Sequence, residues 1–417
     1  MPTSRRARRK TPRAFFALAL ALACTGVGAT VSGASPTYPW RPYWTSVNPG
    51  SSIDFLSAKL GWRVTGQVFG PHIDDNLATM VGPEVDWPGT SISETSDGGR
   101  SWSTVLRAST GIWGLDFVSP RVGYAVAVTS LWRTSDGGRH WQEVGEPVGH
   151  ALVWVDFQTA SDGFGLTSPG TLVRTTDGGS SWSKVGLGMA GTAACFVSPT
   201  VGYVADRGGD LFRTSNGARS WRVVERAPKP PVQYVGPWVE LACSGDDIAL
   251  ALEAFCMAAC AAFPSPYLVD YSNDGGRTWA ARSGGWLRSP APYLPDGGLG
   301  AVAVNSAGAV VFSDVPGPNG NNADDVQVGT LGASGAGTAL DMGSAPALPA
   351  SPVKYALATC HILGIAFVGR TGWLYFDDGE VGTVTHPLGE PVVWQTTDAG
   401  AVWSALSTGP TEGPPPA

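Results

Sequence analysis

The sequence predicts an all-β protein built from repeated four-stranded units, and three of its features carry that prediction. A short phrase, Ser/Thr-x-Asp-x-Gly-x-x-Trp or a near copy, occurs six times in 417 residues. In the first four copies the Asp or Asn stands at positions 97, 136, 177 and 216, which are 39, 41 and 39 residues apart. That period is the length of one propeller blade of four strands. The other two features are a second repeated phrase and a composition with 56 Gly and few charges, which is typical of many turns.

The repeated phrase is predicted to form the turn of a β-hairpin. Alternating apolar stretches flank it, such as Leu131-Trp132-Arg133 before one copy and Trp141-Gln-Glu-Val144 after it. Asp can accept hydrogen bonds from nearby backbone N–H groups, Gly tolerates positive φ, and the Trp buries its ring on the hairpin. The predicted structural residues are Asp97 and Trp102, Asp136 and Trp141, Asp177 and Trp182, Asn216 and Trp221, Asp274 and Trp279, and Asp398 and Trp403.

The second phrase, Phe-x-Ser/Thr-x-x-x-Gly-aromatic, lies about 20 residues before most copies of the first and indicates an innermost strand, a turn and a second strand. Phe117 to Tyr124 is one example. Counting these units gives seven, so the sequence predicts a single seven-bladed propeller. Six or eight blades stay as alternatives, because the stretch between Asp274 and Asp398 is hard to divide. In that stretch Val311-Phe312-Ser313-Asp314 is interpreted as the remnant of a missing turn phrase.

The turn phrase resembles the Asp-box, or BNR repeat, of sialidases, sortilin-type receptors, xyloglucanase-like glycosidases and photosystem II assembly and stability factors. The second phrase makes the pattern most similar to the assembly-factor branch. The resemblance implies that each box joins the third and fourth strands of a blade, on the face opposite the usual binding face. It also implies that the box residues are structural and carry no chemistry.

Residues 1–34 are predicted to be a signal peptide, so the protein is expected to be secreted or extracytoplasmic, at the cell envelope. Six basic residues between Arg5 and Arg13 precede an apolar stretch from Phe15 to Val31, and Ser32-Gly-Ala34 offers a small-x-small cleavage site. An uncleaved helical anchor or a lipid anchor is the alternative, and only then would the protein contact a membrane.

The propeller is expected over 35–408, with a disordered tail at 409–417. Loop insertions are predicted at about 67–88, 252–268 and 316–352, the last because it is rich in Gly, Ala, Asn, Ser and Pro. Trp44-Thr-Ser-Val47 resembles the strand that follows a box. It is predicted to complete the final blade and close the ring.

Charge and cysteine content narrow the possible partners. Removal of residues 1–34 leaves 21 Lys and Arg against 34 Asp and Glu, a net charge of −13, which excludes nucleic acid as an expected partner. Export permits disulfides. The pairing stays open; a local bond within Cys256-Met-Ala-Ala-Cys260, or a bond from Cys243 to one of these two, is favoured. Cys195 and Cys360 are the other cysteines beyond the signal segment.

No catalytic residue, metal site or cofactor is assigned. The Arg-Ile-Pro phrase of sialidases is absent, and the arginines of the box region fall on the face opposite a sialidase active site. Asp116, Asp156 and Glu240 flank three inner strands and are the candidate acid groups of the alternative, a sialidase-like or xyloglucanase-like glycoside hydrolase. A metal site at His72-Ile-Asp74-Asp75 has little support.

The favoured function is an exported, non-catalytic propeller, a monomer that serves as a binding or assembly scaffold for a protein or glycan of the cell envelope. Trp113, Trp154 and Trp238 each precede an innermost strand and are predicted to face the channel mouth. There they would form a stacking platform for a ligand, or else pack between blades. The sequence names neither the ligand nor the oligomeric state.

Overall fold

A computed structural model of the protein describes residues 52–65, 90–109, 111–127, 130–145, 151–167, 170–229, 235–255, 267–279, 299–315, 325–332, 361–377 and 392–407. All of these residues lie within the compact unit Pro42–Ala417. They contain 26 β-strands and no helix, and their strands form seven antiparallel sheets. The predicted all-β propeller of four-stranded blades is confirmed. Within the described ranges there is no apolar helix of the length that spans a bilayer.

Five of the sheets have four strands each among the described residues, and strand order in space follows chain order. Sheet 1 consists of β1 (Ile53–Phe55), β2 (Gly61–Thr65), β3 (Thr90–Thr95) and β4 (Ser103–Ala108). Sheet 2 consists of β5 (Ile112–Phe117), β6 (Gly123–Ala127), β7 (Leu131–Thr134) and β8 (Trp141–Val144). Sheet 3 consists of β9 (Leu152–Phe157), β10 (Gly163–Thr167), β11 (Leu172–Thr175) and β12 (Ser183–Lys184). Sheet 4 consists of β13 (Gly191–Phe196), β14 (Gly202–Asp206), β15 (Leu211–Thr214) and β16 (Arg222–Glu225).

Sheets 5 to 7 complete the ring, and sheet 6 lies wholly in the stretch between Asp274 and Asp398 that is hard to divide by sequence. Sheet 5 consists of β17 (Val235–Ser244), β18 (Asp247–Phe255) and β19 (Tyr267–Ser272). Sheet 6 consists of β20 (Leu299–Asn305), β21 (Gly308–Val315) and β22 (Asp325–Gly332). Sheet 7, the fifth with four strands, consists of β23 (His361–Val368), β24 (Thr371–Asp377), β25 (Val392–Thr396) and β26 (Ser404–Ser407). The chain residues after β19 and β22 that would supply a fourth strand lie outside the described ranges.

The sheets follow one another in a closed ring. The first or second strand of each sheet contacts the first strand of the next, and β23 of sheet 7 contacts β1 of sheet 1. We call each such boundary a seam and number it by its two sheets. The hydrophobic clusters lie at the seams: one cluster joins Trp62 and Val64 of sheet 1 to Leu115 and Phe117 of sheet 2. The core is therefore divided among the seams, as expected when each unit buries its faces against its neighbours.

One pairing, found in sheets 1 to 4 and in sheet 7, explains the second phrase of the sequence. Phe117 of β5 lies opposite Gly123 of β6, and a Cβ on Gly123 would stand 2.4 Å from the Phe117 ring. The ring therefore lies flat across the neighbouring backbone, which only Gly permits. The next residue, Tyr124, is fully buried and stacks on Phe157 of sheet 3, with ring centroids 3.4 Å apart. The phrase thus encodes one contact within a sheet and one contact across a seam.

The same stacking recurs around the ring. The other stacked pairs across seams are Trp62 with Phe117, Phe164 with Phe196, and Trp373 with Phe55, each at 3.6 Å. The Phe in turn meets the box Trp of its own sheet edge to face, as in Phe117 and Trp141 at 6.0 Å. Burial of three large rings per seam, with stacked and T-shaped geometry, stabilises the boundary between sheets.

The structure corrects three predictions of the loop and ring arrangement. Residues 325–332, predicted to be part of a loop, form β22, whose alternating Val326 and Val328 pair along β21. Val311–Asp314, interpreted as a box remnant, lies within β21, the second strand of sheet 6. Ser404–Ser407 fill the outer strand of sheet 7 that was predicted for residues 44–47, which themselves lie outside the described residues.

The insertion predicted at 252–268 is shorter than expected, and the one predicted at 67–88 cannot be compared with the structure. Residues 252–255 belong to β18 and residues 267–268 to β19, so only 256–266 separates the two strands. The predicted insertion at 67–88, the signal segment at 1–34 and the tail at 409–417 lie outside the described residues.

We expect Gly123→Ala to destabilise the fold by about 1–3 kcal/mol, because the new methyl group must displace the Phe117 ring from its place in the seam. Equilibrium denaturation would measure the change. Gly186→Ala is the matched control, since nothing lies within 4 Å of a Cβ at that exposed position. Equal stability of the two variants would contradict the packing role of the glycine.

Candidate functional site

Three carboxylates on the inner strands join each sheet to the next. Each belongs to an Asp that directly precedes the Phe of the second repeated phrase in its own strand. Each accepts a hydrogen bond from the backbone N–H of the corresponding Phe one sheet further on. The bonds run to Asp54 Oδ2 from Phe117 N at 2.6 Å, to Asp116 Oδ2 from Phe157 N at 2.5 Å, and to Asp156 Oδ2 from Phe196 N at 2.7 Å. We call this set the carboxylate latch.

The latch provides hydrogen-bond acceptors for backbone N–H groups at the inner edge of the sheets. An innermost strand has a ladder partner on one side only, so the N–H groups of its other edge need acceptors from elsewhere. The carboxylate of the preceding sheet supplies the acceptor for one such N–H. In doing so it fixes the position of one sheet against the next, which a hydrophobic contact alone does not.

Burial raises the pKa of all three carboxyl groups, so they are weaker acids than an exposed Asp. Desolvation raises the pKa of Asp54 to about 6 and that of Asp156 to about 7, against the effect of the backbone hydrogen bonds, which lower both. Desolvation also raises the pKa of Asp116 well above its usual range, and the charges of Asp156 and Asp54 raise it further. The three groups therefore form one electrostatically linked set along the inner strands.

A disulfide occupies the fourth place of this series. Cys195 directly precedes Phe196, so it stands in sheet 4 where Asp stands in sheets 1 to 3. It is bonded to Cys243 of β17 in sheet 5, with a Cα–Cα distance of 6.1 Å. A covalent bond thus replaces the hydrogen bond at seam 4/5. Of the two favoured pairings, the bond from Cys243 to Cys256 or Cys260 is wrong. The local bond between Cys256 and Cys260 stays a prediction, because those two cysteines lie outside the described residues.

The structure gives the predicted acid groups different places. Asp116 and Asp156 are members of the latch, and its third member is Asp54, which the sequence analysis did not select. Glu240 lies on β17, three residues before Cys243, and is 5% exposed. It stands opposite Ala251 of β18. Each latch aspartate directly precedes the Phe of its own inner strand. Glu240 does not occupy the corresponding position of β17, so it is not equivalent to Asp116 and Asp156. The three predicted groups therefore do not form an equivalent set around the channel.

The three predicted platform tryptophans lie within inner strands, and not ahead of them as predicted. Trp113 stands at an irregularity of β5, where the pairing passes from Ile112 to Gly114, whereas Trp238 lies opposite Glu253. The side chains of both lie outside what the structure describes. Trp154 is 7% exposed and belongs to the hydrophobic cluster between sheets 3 and 4. Their binding role stays a prediction, and only packing contacts are described for Trp154.

The boxes form closed hydrogen-bonded turns between third and fourth strands. In the first box Gly99 N donates to Thr95 Oγ1 at 2.9 Å, Ser101 N donates to Asp97 Oδ1 at 2.9 Å, and Trp102 Nε1 donates to the Gly99 carbonyl at 3.0 Å. These bonds hold the pKa of the box aspartates below the usual range. Gly98 N also donates to the Lys59 carbonyl at 2.8 Å, which ties the box to the turn between β1 and β2.

Two boxes depart from the Gly pattern and still keep the turn. Ala218 and Ala399 have φ of 66° and 68°, values that favour Gly. In the box of sheet 4 Asn216 replaces Asp, and Asn216 Oδ1 accepts from Ser220 N at 3.0 Å. The hydroxyl of Thr214 still accepts from Ala218 N at 3.0 Å. The turn therefore depends more on the Thr and the side-chain oxygen than on either Gly.

No group of three or more His, Cys, Asp or Glu side chains suited to a metal ion occurs among the described residues. His72, Asp74 and Asp75 lie outside them.

The ring of sheets, the seam pairs and the boxes define an Asp-box β-propeller. Residues 96–236 match the family model described as photosynthesis system II assembly factor YCF48. The predicted resemblance to this branch of the Asp-box propellers is thereby confirmed for the part of the chain with the most regular repeats.

Solved structures with a similar fold include YCF48 bound to D1 peptide, with 16% identity, a TM-score of 0.44, and coverage of 71% of this chain and 82% of that one. YCF48 from Cyanidioschyzon merolae has 14% identity and a TM-score of 0.42, with coverage of 70% and 84%. The GH74 xyloglucanase from Xanthomonas campestris has 15% identity and a TM-score of 0.43, with coverage of 88% and 61%. No curated protein matches the chain. Likeness at this level carries no argument about function.

The latch predicts that stability falls as pH rises from about 4 to about 7. A folded-state pKa raised above the unfolded value means that the folded chain holds more protons in this window, so deprotonation favours unfolding. The loss should reach at least about 1.4 kcal/mol, the free energy of one pKa unit. Denaturant unfolding at a series of pH values would measure it.

The substitution Asp54→Asn/Asp116→Asn/Asp156→Asn should flatten this pH dependence, because the amide oxygen can still accept the backbone hydrogen bond but does not titrate. Asp177→Asn is the control, since that exposed box aspartate has a lowered pKa and does not change charge in this window. An unchanged slope in the triple variant would show that the latch does not control the pH response.

Loss of the Cys195–Cys243 bond should lower the free energy of unfolding by about 4 kcal/mol, since it closes a loop of 48 residues. Thermal unfolding of Cys195→Ser/Cys243→Ser, with and without a dithiol reductant, would test this. We expect the reductant to lower the Tm of the natural chain and to leave that of the variant unchanged. A similar drop in both would place the stabilising bond elsewhere.

Proposed function

We propose that the protein is an exported, non-catalytic β-propeller that acts as a binding or assembly scaffold for a protein at the cell envelope. The observation that carries the proposal is the match of residues 96–236 to a family of assembly factors. The latch supports it, because the two inner-strand aspartates considered for glycoside chemistry bind backbone N–H groups of the next sheet. No specific observation favours the hydrolase alternative.

A rigid ring with variable attachments suits a scaffold. The seams combine stacked aromatics, carboxylate bonds and a disulfide, all of which fix one sheet against the next. The longest connections between second and third strands join strand ends on the face opposite the boxes. Their chain segments are 66–89, 256–266, 316–324 and 378–391. We place the partner contacts on that face.

The seven-blade count and the export are parts of the same proposal. Seven sheets among the described residues, with contacts that return from sheet 7 to sheet 1, support seven blades. The disulfide supports export, because such bonds persist in oxidising compartments. The basic and apolar segment at the N-terminus supports it independently.

The proposal predicts that partner contacts concentrate on the face opposite the boxes. A photo-reactive amino acid at Arg207, an exposed residue of the turn between β14 and β15, should capture one protein in cells. The same group at Ser180, an exposed residue of a box turn, should not. The captured protein, once purified, should bind the purified full chain. Equal capture at both positions, or capture of glycan alone, would contradict the proposed partner.

The tryptophan prediction needs a separate design. Trp113→Ala and Trp238→Ala should be compared with the natural chain for binding of the captured protein. Trp154→Ala serves as the packing control, because loss of a buried indole costs about 3–5 kcal/mol and acts on stability. Loss of binding in the first two variants at unchanged Tm would assign them to the contact surface. Unchanged binding would show that these two tryptophans do not contact the partner.

A further inference from the structure

Two neighbouring seams are built from nearly the same parts on the box face. At seam 1/2 the Trp62 indole N–H donates to the Gly137 carbonyl at 3.3 Å. At seam 7/1 the Trp373 indole N–H donates to the Gly98 carbonyl at 2.9 Å. Both glycines are the first Gly of a box, and both tryptophans follow the Gly of a second strand. The two seams therefore form a matched pair within one molecule.

The cations of the two seams correspond as well. Seam 1/2 has Arg121 in the turn after β5 and Arg139 in the box of sheet 2. Seam 7/1 has Lys59 in the turn after β1 and Arg100 in the box of sheet 1. All four side chains are exposed. Among the described residues neither Lys59 nor Arg100 forms an ion pair.

The seams differ at the third strand. Opposite Trp62 stands Glu94, whereas opposite Trp373 stands Gln395. Sheet 1 thus brings a carboxylate to a seam with two cations, and sheet 7 brings a neutral amide. In sheets 2, 3 and 4 the same register position holds an arginine; these are Arg133, Arg174 and Arg213. Arg174 is long enough to reach the Gly217 carbonyl of the next box at 3.4 Å.

Gln395 makes the corresponding bond, since its Nε2 donates to the Gly98 carbonyl of the next box at 3.4 Å, and it borders an open cleft. A cavity of about 450 Å³ lies at seam 7/1, lined by Lys59, Arg100, Ser96, Thr371, Thr397 and Gln395. Asp97 also borders it, but its carboxylate accepts from Thr95 Oγ1, Ser101 N and Ser101 Oγ within the box turn. Arg100 Nη1 donates to the Asp97 carbonyl at 2.8 Å, and the Gln395 amide N–H is used by Gly98. The lining therefore offers two cations and three hydroxyls, with its one carboxylate already hydrogen-bonded.

We infer that this cleft binds a small organic oxyanion, a carboxylate or phosphate on a polar frame of about sugar size. The anion supplies a negative charge of the kind that Glu94 carries at the corresponding position of sheet 1 and that Gln395 lacks. The hydroxyls orient the polar frame by hydrogen bonds. Because the cations are exposed, the attraction is screened by salt and the affinity is expected to be millimolar.

The location gives the ligand a structural consequence. The cleft joins residues of the first sheet to residues of the last, so an occupant bridges the two ends of the ring. A ligand that binds only the closed ring raises the Tm with its concentration. This inference does not depend on the proposed partner, which we place on the opposite face.

Calorimetric titration and thermal unfolding of the full chain should use glucuronate, inorganic phosphate and neutral glucose as probes. We expect at least one of the two anions to bind and to raise the Tm, and glucose to do neither. Binding of glucuronate alone assigns the site to carboxylates, and binding of phosphate alone assigns it to phosphates. Binding should weaken as ionic strength rises. Absence of binding by both anions at millimolar concentration overturns the inference.

The matched seam supplies the control variants. Gln395→Glu copies the charge of seam 1/2 and should weaken anion binding by at least about tenfold. Lys59→Ala and Arg100→Ala, both at exposed positions, should weaken it similarly without loss of folding. Arg121→Ala and Arg139→Ala change the corresponding cations of seam 1/2 and should leave binding unchanged. If all five variants bind like the natural chain, the anion occupies another site and the inference is wrong.

Discussion

The seam between adjacent sheets is the constraint on which the rest of this fold depends. A sheet of three or four short strands has two faces and too few residues to bury either alone, so each must be covered by a neighbour. The Phe of the inner strand makes contacts both within its own sheet and with the preceding sheet. It lies over Gly123 or its equivalents within its own sheet and receives the aromatic ring of the preceding sheet. Both repeated phrases of the sequence follow from this single arrangement.

The inner edge imposes a second constraint, and the chain meets it in two chemically different ways. At three seams a carboxylate accepts the free backbone N–H, at the cost of holding Asp54, Asp116 and Asp156 where their charged forms are disfavoured. At the fourth, Cys195 and Cys243 form a covalent bond at the same place. The disulfide fixes the seam without a buried charge and is independent of pH, but it requires an oxidising environment to form.

Much of the architecture could be predicted from the sequence because the same two phrases recur in most of the sheets. Local rules sufficed for the boxes, since Asp, Gly and Trp at fixed spacing specify a hairpin turn. Sheet 6 was harder, because the described part of its chain has no readable box and β22 lies in a stretch rich in Gly and Asn. The latch escaped prediction for a different reason. Its bonds join residues 40, 41 and 63 positions apart, and Asp54 looked like any acid beside a short strand until the ring brought it to Phe117.

The seams also explain why function is harder to read than fold in this chain. The four seams with a stacked pair keep their Phe, their Gly and their aromatic ring, whereas the third-strand position is free to vary. That position holds Glu94, Arg133, Arg174, Arg213 and Gln395 in different sheets, with little change in the backbone that carries them. A residue that differs among equivalent sites of one molecule is not required by the common fold. Such positions are therefore where a particular propeller can acquire a binding property of its own. Gln395, beside Lys59, Arg100 and an open cleft, is the instance for which the structure provides a matched comparison.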